Sequence, residues 1–122
     1  MLDASFLIAL ERETARAEQG PARTLLATLG KRPLVVSIVT VEEVLEGAAD
    51  EDRAFASLQR FAIQGLHLAQ ARRCALLQRR AASRMGENDA WLVATAESLG
   101  ADIVAADRKA FDRLGSGYLR FR

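Results

Sequence analysis

Two short apolar runs limit what this chain can fold into. Leu34-Val35-Val36-Ser37-Ile38-Val39 and Ala101-Asp102-Ile103-Val104-Ala105-Ala106 are too short for helices and rich in β-branched residues, so both read as buried strands. Helical segments are predicted around them: residues 4–12, residues 21–29 closed by Gly30, and a helix opened by Thr40 with Val41, Val44, Leu45 and Ala48 on one side. Further helices are expected over 54–61, over 68–85 up to Gly86, from an Asn88 or Asp89 cap to Gly100, and from Asp107 to Leu114. Tyr118-Leu119-Arg120-Phe121 reads as a last short strand. Short buried strands alternating with helices are the pattern of a parallel sheet covered on both faces. The expected architecture is a single three-layer α/β/α domain spanning residues 1–122.

Composition supports that reading and excludes several functions. At 50% hydrophobic and 27% charged residues, the chain is neither disordered nor fibrous. Cys74 is the single cysteine and His67 the single histidine, which excludes an internal disulfide and every multi-Cys or multi-His metal site. The run Phe6-Leu7-Ile8-Ala9-Leu10 stops at Glu11, far short of the ~20 residues needed to span a bilayer. Nor does Met1-Leu2-Asp3 resemble a basic leader, so a cytoplasmic location is expected.

The net charge is only +1, but it is unevenly spread. Residues 1–61 carry 7 basic and 10 acidic side chains; residues 62–122 carry 10 and 6. No acid lies between Asp52 and Glu87, where seven arginines do. Five of these, Arg72, Arg73, Arg79, Arg80 and Arg84, fall within an arc of roughly 140° on the predicted 68–85 helix. Such a stripe can neutralise phosphates, with a solvated helix face as the plainer alternative.

Chemistry is expected where strands of a parallel sheet end. Asp3 ends the first apolar dipeptide, Asp107 follows the 101–106 run, and Glu43 sits one turn after the 34–39 run. Asp89 opens a helix, and helix starts face the same end. Each acid also has a structural explanation: Asp3, Asp89 and Asp107 can cap helices, and Thr40-Val41-Glu42-Glu43 matches a capping box. If the four converge, each pair at ~4 Å costs about 4 kcal/mol at an effective dielectric of 20. A cation must then neutralise them, and all-oxygen ligands favour Mg²⁺ or Mn²⁺.

Four segments together carry a family resemblance. They are Leu2-Asp3-Ala4-Ser5-Phe6-Leu7-Ile8, Ser37-Ile38-Val39-Thr40-Val41-Glu42-Glu43-Val44-Leu45-Glu46-Gly47-Ala48, Asn88-Asp89-Ala90-Trp91-Leu92-Val93-Ala94-Thr95-Ala96, and Ile103-Val104-Ala105-Ala106-Asp107-Arg108-Lys109-Ala110-Phe111. In that order they resemble a PIN-domain ribonuclease of the VapC-type toxin group. The resemblance implies a catalytic set of Asp3, Glu43, Asp89 and Asp107, with Mg²⁺ or Mn²⁺ held by Asp3, Asp89 and Asp107. Periodicity alone does not choose Glu43 over Glu42; the resemblance does, through Thr40, Glu43 and Gly47. Ser5 and Asn88 stand beside these acids and, with Arg73, Arg80 and Arg84, are the weaker candidates for substrate contact.

The resemblance further implies an RNA substrate, a homodimer and a cognate antitoxin. Two departures stand out. Ala105 occupies a position where the family commonly has Thr or Ser, and only Met1 and Leu2 precede Asp3 in the first strand. Both favour the alternative, a catalytically silent PIN-fold module that binds RNA or protein. The four intact acids favour a nuclease. A triad of Ser5, His67 and an acid is disfavoured, because His67 between Leu66 and Leu68 reads as a helix-start residue. Trp91, at core-helix spacing, reads as packing.

Overall fold

Alternate residues of the short strands feed two different hydrophobic cores, as burial on both faces of a sheet requires. Leu2, Val36 and Val104 enter one core with Phe6, Leu10, Val41, Val44 and Leu58. Met1, Val35, Ile103 and Ala105 enter the other with Leu92, Val93, Ala96 and Phe111. The computed structural model describes residues 1–106, 109–112 and 117–122. Helices α1 (Ala4–Ala15), α2 (Pro21–Leu29), α3 (Ile38–Glu46) and α4 (Glu51–Leu58) supply the first core. Helices α5 (Leu68–Arg80), α6 (Glu87–Leu99) and α7 (Lys109–Asp112) supply the second. The single α/β domain therefore has the expected layers.

Its central sheet is split into two parallel pairs. Strand β1 (Val35–Ser37) pairs with β2 (Ala62–Gln64), and β3 (Ile103–Ala105) pairs with β4 (Tyr118–Arg120). The first residues stitch the pairs together. Leu2 N–H donates to the Val35 carbonyl at 2.9 Å, Asp3 N–H to that of Val104 at 3.0 Å, and Val104 N–H to that of Met1 at 2.8 Å. Leu2 makes a parallel bridge to Val104 and nothing longer, so the predicted first strand is reduced to a single rung.

Several boundaries move for identifiable reasons. The 34–39 run is not strand throughout: Ser37 caps α3, its Oγ accepting from Thr40 N–H at 3.2 Å, so Ile38 and Val39 are helical. A cap outweighs the β preference of two β-branched residues. Strand β2 carries no clear signal in the sequence because Ala62 and Ile63 of this edge strand are exposed. The predicted 68–85 helix stops at Arg80. Gln78 ends it by clamping Met85 twice: its Nε2 donates to the Met85 carbonyl at 3.1 Å, and its Oε1 accepts from Met85 N–H at 2.9 Å. Much of the predicted 107–114 helix, including Asp107 itself, lies outside the described residues. No helix among the described residues is long and apolar enough to cross a membrane.

Candidate active site

Buried polar side chains are costly unless satisfied, and where they gather is informative. Asp3, Ser37 and Thr40 are 2%, 1% and 1% exposed, and all stand where a strand gives way to a helix at the carboxyl edge of the sheet. Asp3 is the N-cap of α1. Its Oδ2 accepts from Ser5 N–H at 3.2 Å and from the Ser5 hydroxyl at 2.7 Å. The same hydroxyl oxygen accepts from Ala106 N–H at 3.0 Å. One side chain thus ties the Asp3 carboxylate to the backbone just beyond β3. Asp107 is the next residue in the chain and lies outside the described residues.

The capping-box reading of Glu43 is corrected. Ser37, not Thr40, caps α3, which puts Thr40 inside the first turn and Glu43 one turn further on. Glu43 is half-buried, whereas Glu42 is exposed. A hydrogen bond to Glu46, and its like charge, push the Glu42 carboxyl above the usual carboxylate range. Glu42 is thus engaged with its i+4 neighbour on the solvent side.

Asn88 and Asp89 do not cap α6 either. Gly86 is the N-cap, and Glu87, Asn88 and Asp89 form the first turn, where acidic side chains meet the positive end of the helix dipole. Asp89 is half-buried and Asn88 exposed. Gly100 closes α6 with a left-handed φ of 62°, and the chain enters β3 at Ile103. Helix α6 therefore runs back along β3 and opens at the edge where β3 ends. Asp3 and Asp89 sit at that edge, with Glu43 in the second turn of a helix that starts there. Among the described residues, no three His, Cys, Asp or Glu side chains group closely enough to hold a metal ion. Asp3, Glu43 and Asp89 therefore do not form such a group by themselves, and Asp107 lies outside the described residues.

The arginine stripe is also revised. Arg84 lies beyond the end of α5 and pairs with Glu87 at 3.2 Å, while Arg73 pairs with Glu97 at 2.9 Å. Both pairs are largely exposed, so each is worth little to stability. Arg72, Arg79 and Arg80 make no ion pair among the described residues. His67 starts α5 as its N-cap, its N–H donating to Gln70 Oε1 at 2.5 Å. Trp91 packs against the second core.

A family model of the PIN domain matches residues 1–116, nearly the entire chain. The chain belongs to the PIN-domain family. Three solved structures share this PIN fold over almost the full length of both chains. A toxin–antitoxin complex from Klebsiella pneumoniae matches at 23% identity and a TM-score of 0.80, covering 99% of this chain and 96% of that one. VapBC-1 from nontypeable Haemophilus influenzae matches at 20% and 0.73, with 99% and 96% covered. DNA-bound VapBC from Salmonella typhimurium matches at 18% and 0.72, with 100% and 97% covered. No curated protein matches this PIN domain by sequence. PIN domains are typically nucleases that use divalent metals.

One contact at this edge of the PIN domain has no counterpart among the sequence expectations. The Tyr118 hydroxyl donates to the Ala106 carbonyl. Its one signal is chemical: Tyr118 is the single tyrosine, at the start of the last strand.

Proposed function

We propose that this PIN domain is a metal-dependent endoribonuclease that hydrolyses RNA phosphodiesters, acting in the cytoplasm as the toxin of a toxin–antitoxin pair. The observation that carries the reading is Asp3. A carboxylate 2% exposed, fixed by Ser5 at the carboxyl edge of a parallel sheet and tied to the residue before a second Asp, is a preorganised hard-oxygen donor. Asp3, Asp89 and Asp107 are the residues that would hold Mg²⁺ or Mn²⁺, with Glu43 completing the acidic set. This donor set fits such an ion, because every candidate ligand is a carboxylate oxygen. When bound, the ion supplies charge neutralisation at the scissile phosphate and activation of water.

The chain's own residues do the rest. Ser5 holds Asp3 in one rotamer, Asn88 offers an exposed amide beside Asp89, and Glu43 adds negative charge that favours cation capture. The likeness to toxin–antitoxin complexes supports a cognate antitoxin; a homodimer is what the family resemblance implies. The reading is tested by incubating the purified protein with a mixed RNA pool. Cleavage with Mg²⁺ or Mn²⁺ that stops with EDTA supports it, whereas RNA binding without cleavage identifies a silent module.

On this reading the arginines of α5 and of the segment just after it bind RNA phosphates. Arg80, with Arg72 and Arg79, would make the direct contacts, while Arg73 and Arg84 must first leave Glu97 and Glu87. Replacing Arg72, Arg79 and Arg80 together with Gln is expected to weaken RNA binding. The slope of log K against log salt should flatten by about 0.7 for each single-strand phosphate that the variant no longer neutralises. Replacing Arg73 and Arg84 should flatten it less. Binding measured across a salt series checks both, and an unchanged slope in the triple variant would return the stripe to a solvated helix face.

A further inference from the structure

The crevice between α5 and α6 holds the chain's single tryptophan. Trp91 is only half-buried and lines an open cavity of about 370 Å³. Small-molecule sites span about 300–1,000 Å³, so the space suits one small planar group. Against the indole, α5 sets Ala71, Cys74 and Ala75, small side chains that leave the space unfilled. A buried Trp usually pairs its N–H. The Trp91 N–H has no hydrogen-bond partner, yet no buried polar side-chain atom among the described residues goes unsatisfied, so this N–H reaches solvent.

The charges around the cavity change along α5. Arg79 lines both the cavity and an adjoining groove that also holds Arg72 and Arg73. Arg72 and Arg79 make no ion pair among the described residues. Inside the cavity Arg84 is already paired with Glu87, so that wall is nearly neutral and offers a phosphate little. Unpaired cations therefore lead up to an aromatic face. That is the combination by which proteins hold single-stranded nucleic acid: cations follow the backbone, and a ring takes a base.

We propose that this cavity is a base-binding pocket for single-stranded RNA, in which an unpaired base stacks on Trp91 while Arg72 and Arg79 hold the phosphates beside it. The proposal rests on the RNA-substrate reading above and narrows it to RNA with unpaired bases, since a duplex keeps its base faces stacked. The alternative gives Trp91 a packing role only and makes the cavity a gap between two helices.

Two short single-stranded RNAs of equal length separate these readings, one of mixed sequence and one with an abasic site at every position. The duplex of the first is a third probe, and all are bound in EDTA. Stacking of one base is worth roughly 5- to 150-fold in affinity, so the parent should bind the mixed strand more tightly than the abasic strand by that factor. Because Trp91 is the single tryptophan, its fluorescence reports on this pocket alone. The mixed strand should quench it, and the abasic strand and the duplex should not. Trp91→Leu should bind both single strands alike, with a salt slope close to the parent's because the phosphate contacts remain. A thermal melt checks that the variant folds, and the comparison of the two strands on the parent stands whatever that melt shows. Equal parent affinity for both strands, with indole fluorescence unchanged at saturation, overturns the proposal and leaves the RNA reading in place. A parent that binds none of the three probes overturns the RNA reading itself, and the proposal with it.

Discussion

Asp3→Asn and Asp89→Asn are each expected to lower Mn²⁺-dependent RNA cleavage by a factor on the order of 10³ or more, beside which RNA affinity changes little. The loss of one preorganised electrostatic group commonly costs 10²–10³ in rate, and these two acids would lose a charge shared with the cation as well. The substitutions are informative because Asn keeps the shape. At the α1 N-cap, Asn caps about as well as Asp, so Asp3→Asn should leave the helix intact. Asp89 is not the cap of α6, since Gly86 holds that position. A loss of activity in both variants with melting temperatures near the parent's therefore reports on chemistry. The assay compares initial cleavage rates at fixed Mn²⁺, and persistent cleavage in both variants would place the activity elsewhere.

Phe6→Ala is expected to give the largest loss of stability. Phe6 is fully buried on α1, in the same turn as Ser5, and meets the Phe121 ring edge-on at 5.2 Å and 88°. Truncating a buried Phe costs about 3–5 kcal/mol, through lost transfer energy and the cavity left behind. Against a typical total of about 5–15 kcal/mol, that is enough to leave much of the protein unfolded. Ile8 is the control, since it lies on the same helix but is 39% exposed. Ile8→Ala should cost well under about 1 kcal/mol. Urea midpoints measure both, and comparable shifts would contradict the burial described for α1.

The sequence and the fold agree most closely where burial is two-sided. Residues 103–105 and 35–37 are strands because each must satisfy two cores, and that demand leaves near-continuous apolar runs in the sequence. The same cue misleads at Ile38 and Val39, which are β-branched but follow a Ser37 cap. It is weak at β2, where only three apolar residues, Phe61 to Ile63, stand between Arg60 and Gln64. Helix α5 ends early because the Gln78 amide replaces the backbone partners of Met85, a tertiary bond without a local signal.

The candidate site divides in the same way. Asp3, Glu43 and Asp89 were legible as residue types in a strand–helix order, yet two of the three capping explanations fail once Ser37 and Gly86 are seen as the caps. The restraint on the segment before Asp107 joins Ser5 to Ala106, 101 residues apart. Spacing along one chain cannot reveal such a contact.

Thermal melts of the parent and of Asp107→Asn, each with and without millimolar Mn²⁺, test the metal site most directly. They need no knowledge of the RNA target. An ion bound only by the folded state stabilises it by about 2.7 kcal/mol at about 100 times its Kd. For a domain of this size that is a rise in Tm on the order of 10 °C. The parent should show such a rise and Asp107→Asn should not. In metal-free buffer the variant should melt at or above the parent temperature, because one repelling charge is gone. A parent Tm indifferent to Mn²⁺, with Asp107→Asn indistinguishable from it, would contradict a metal site built from these acids.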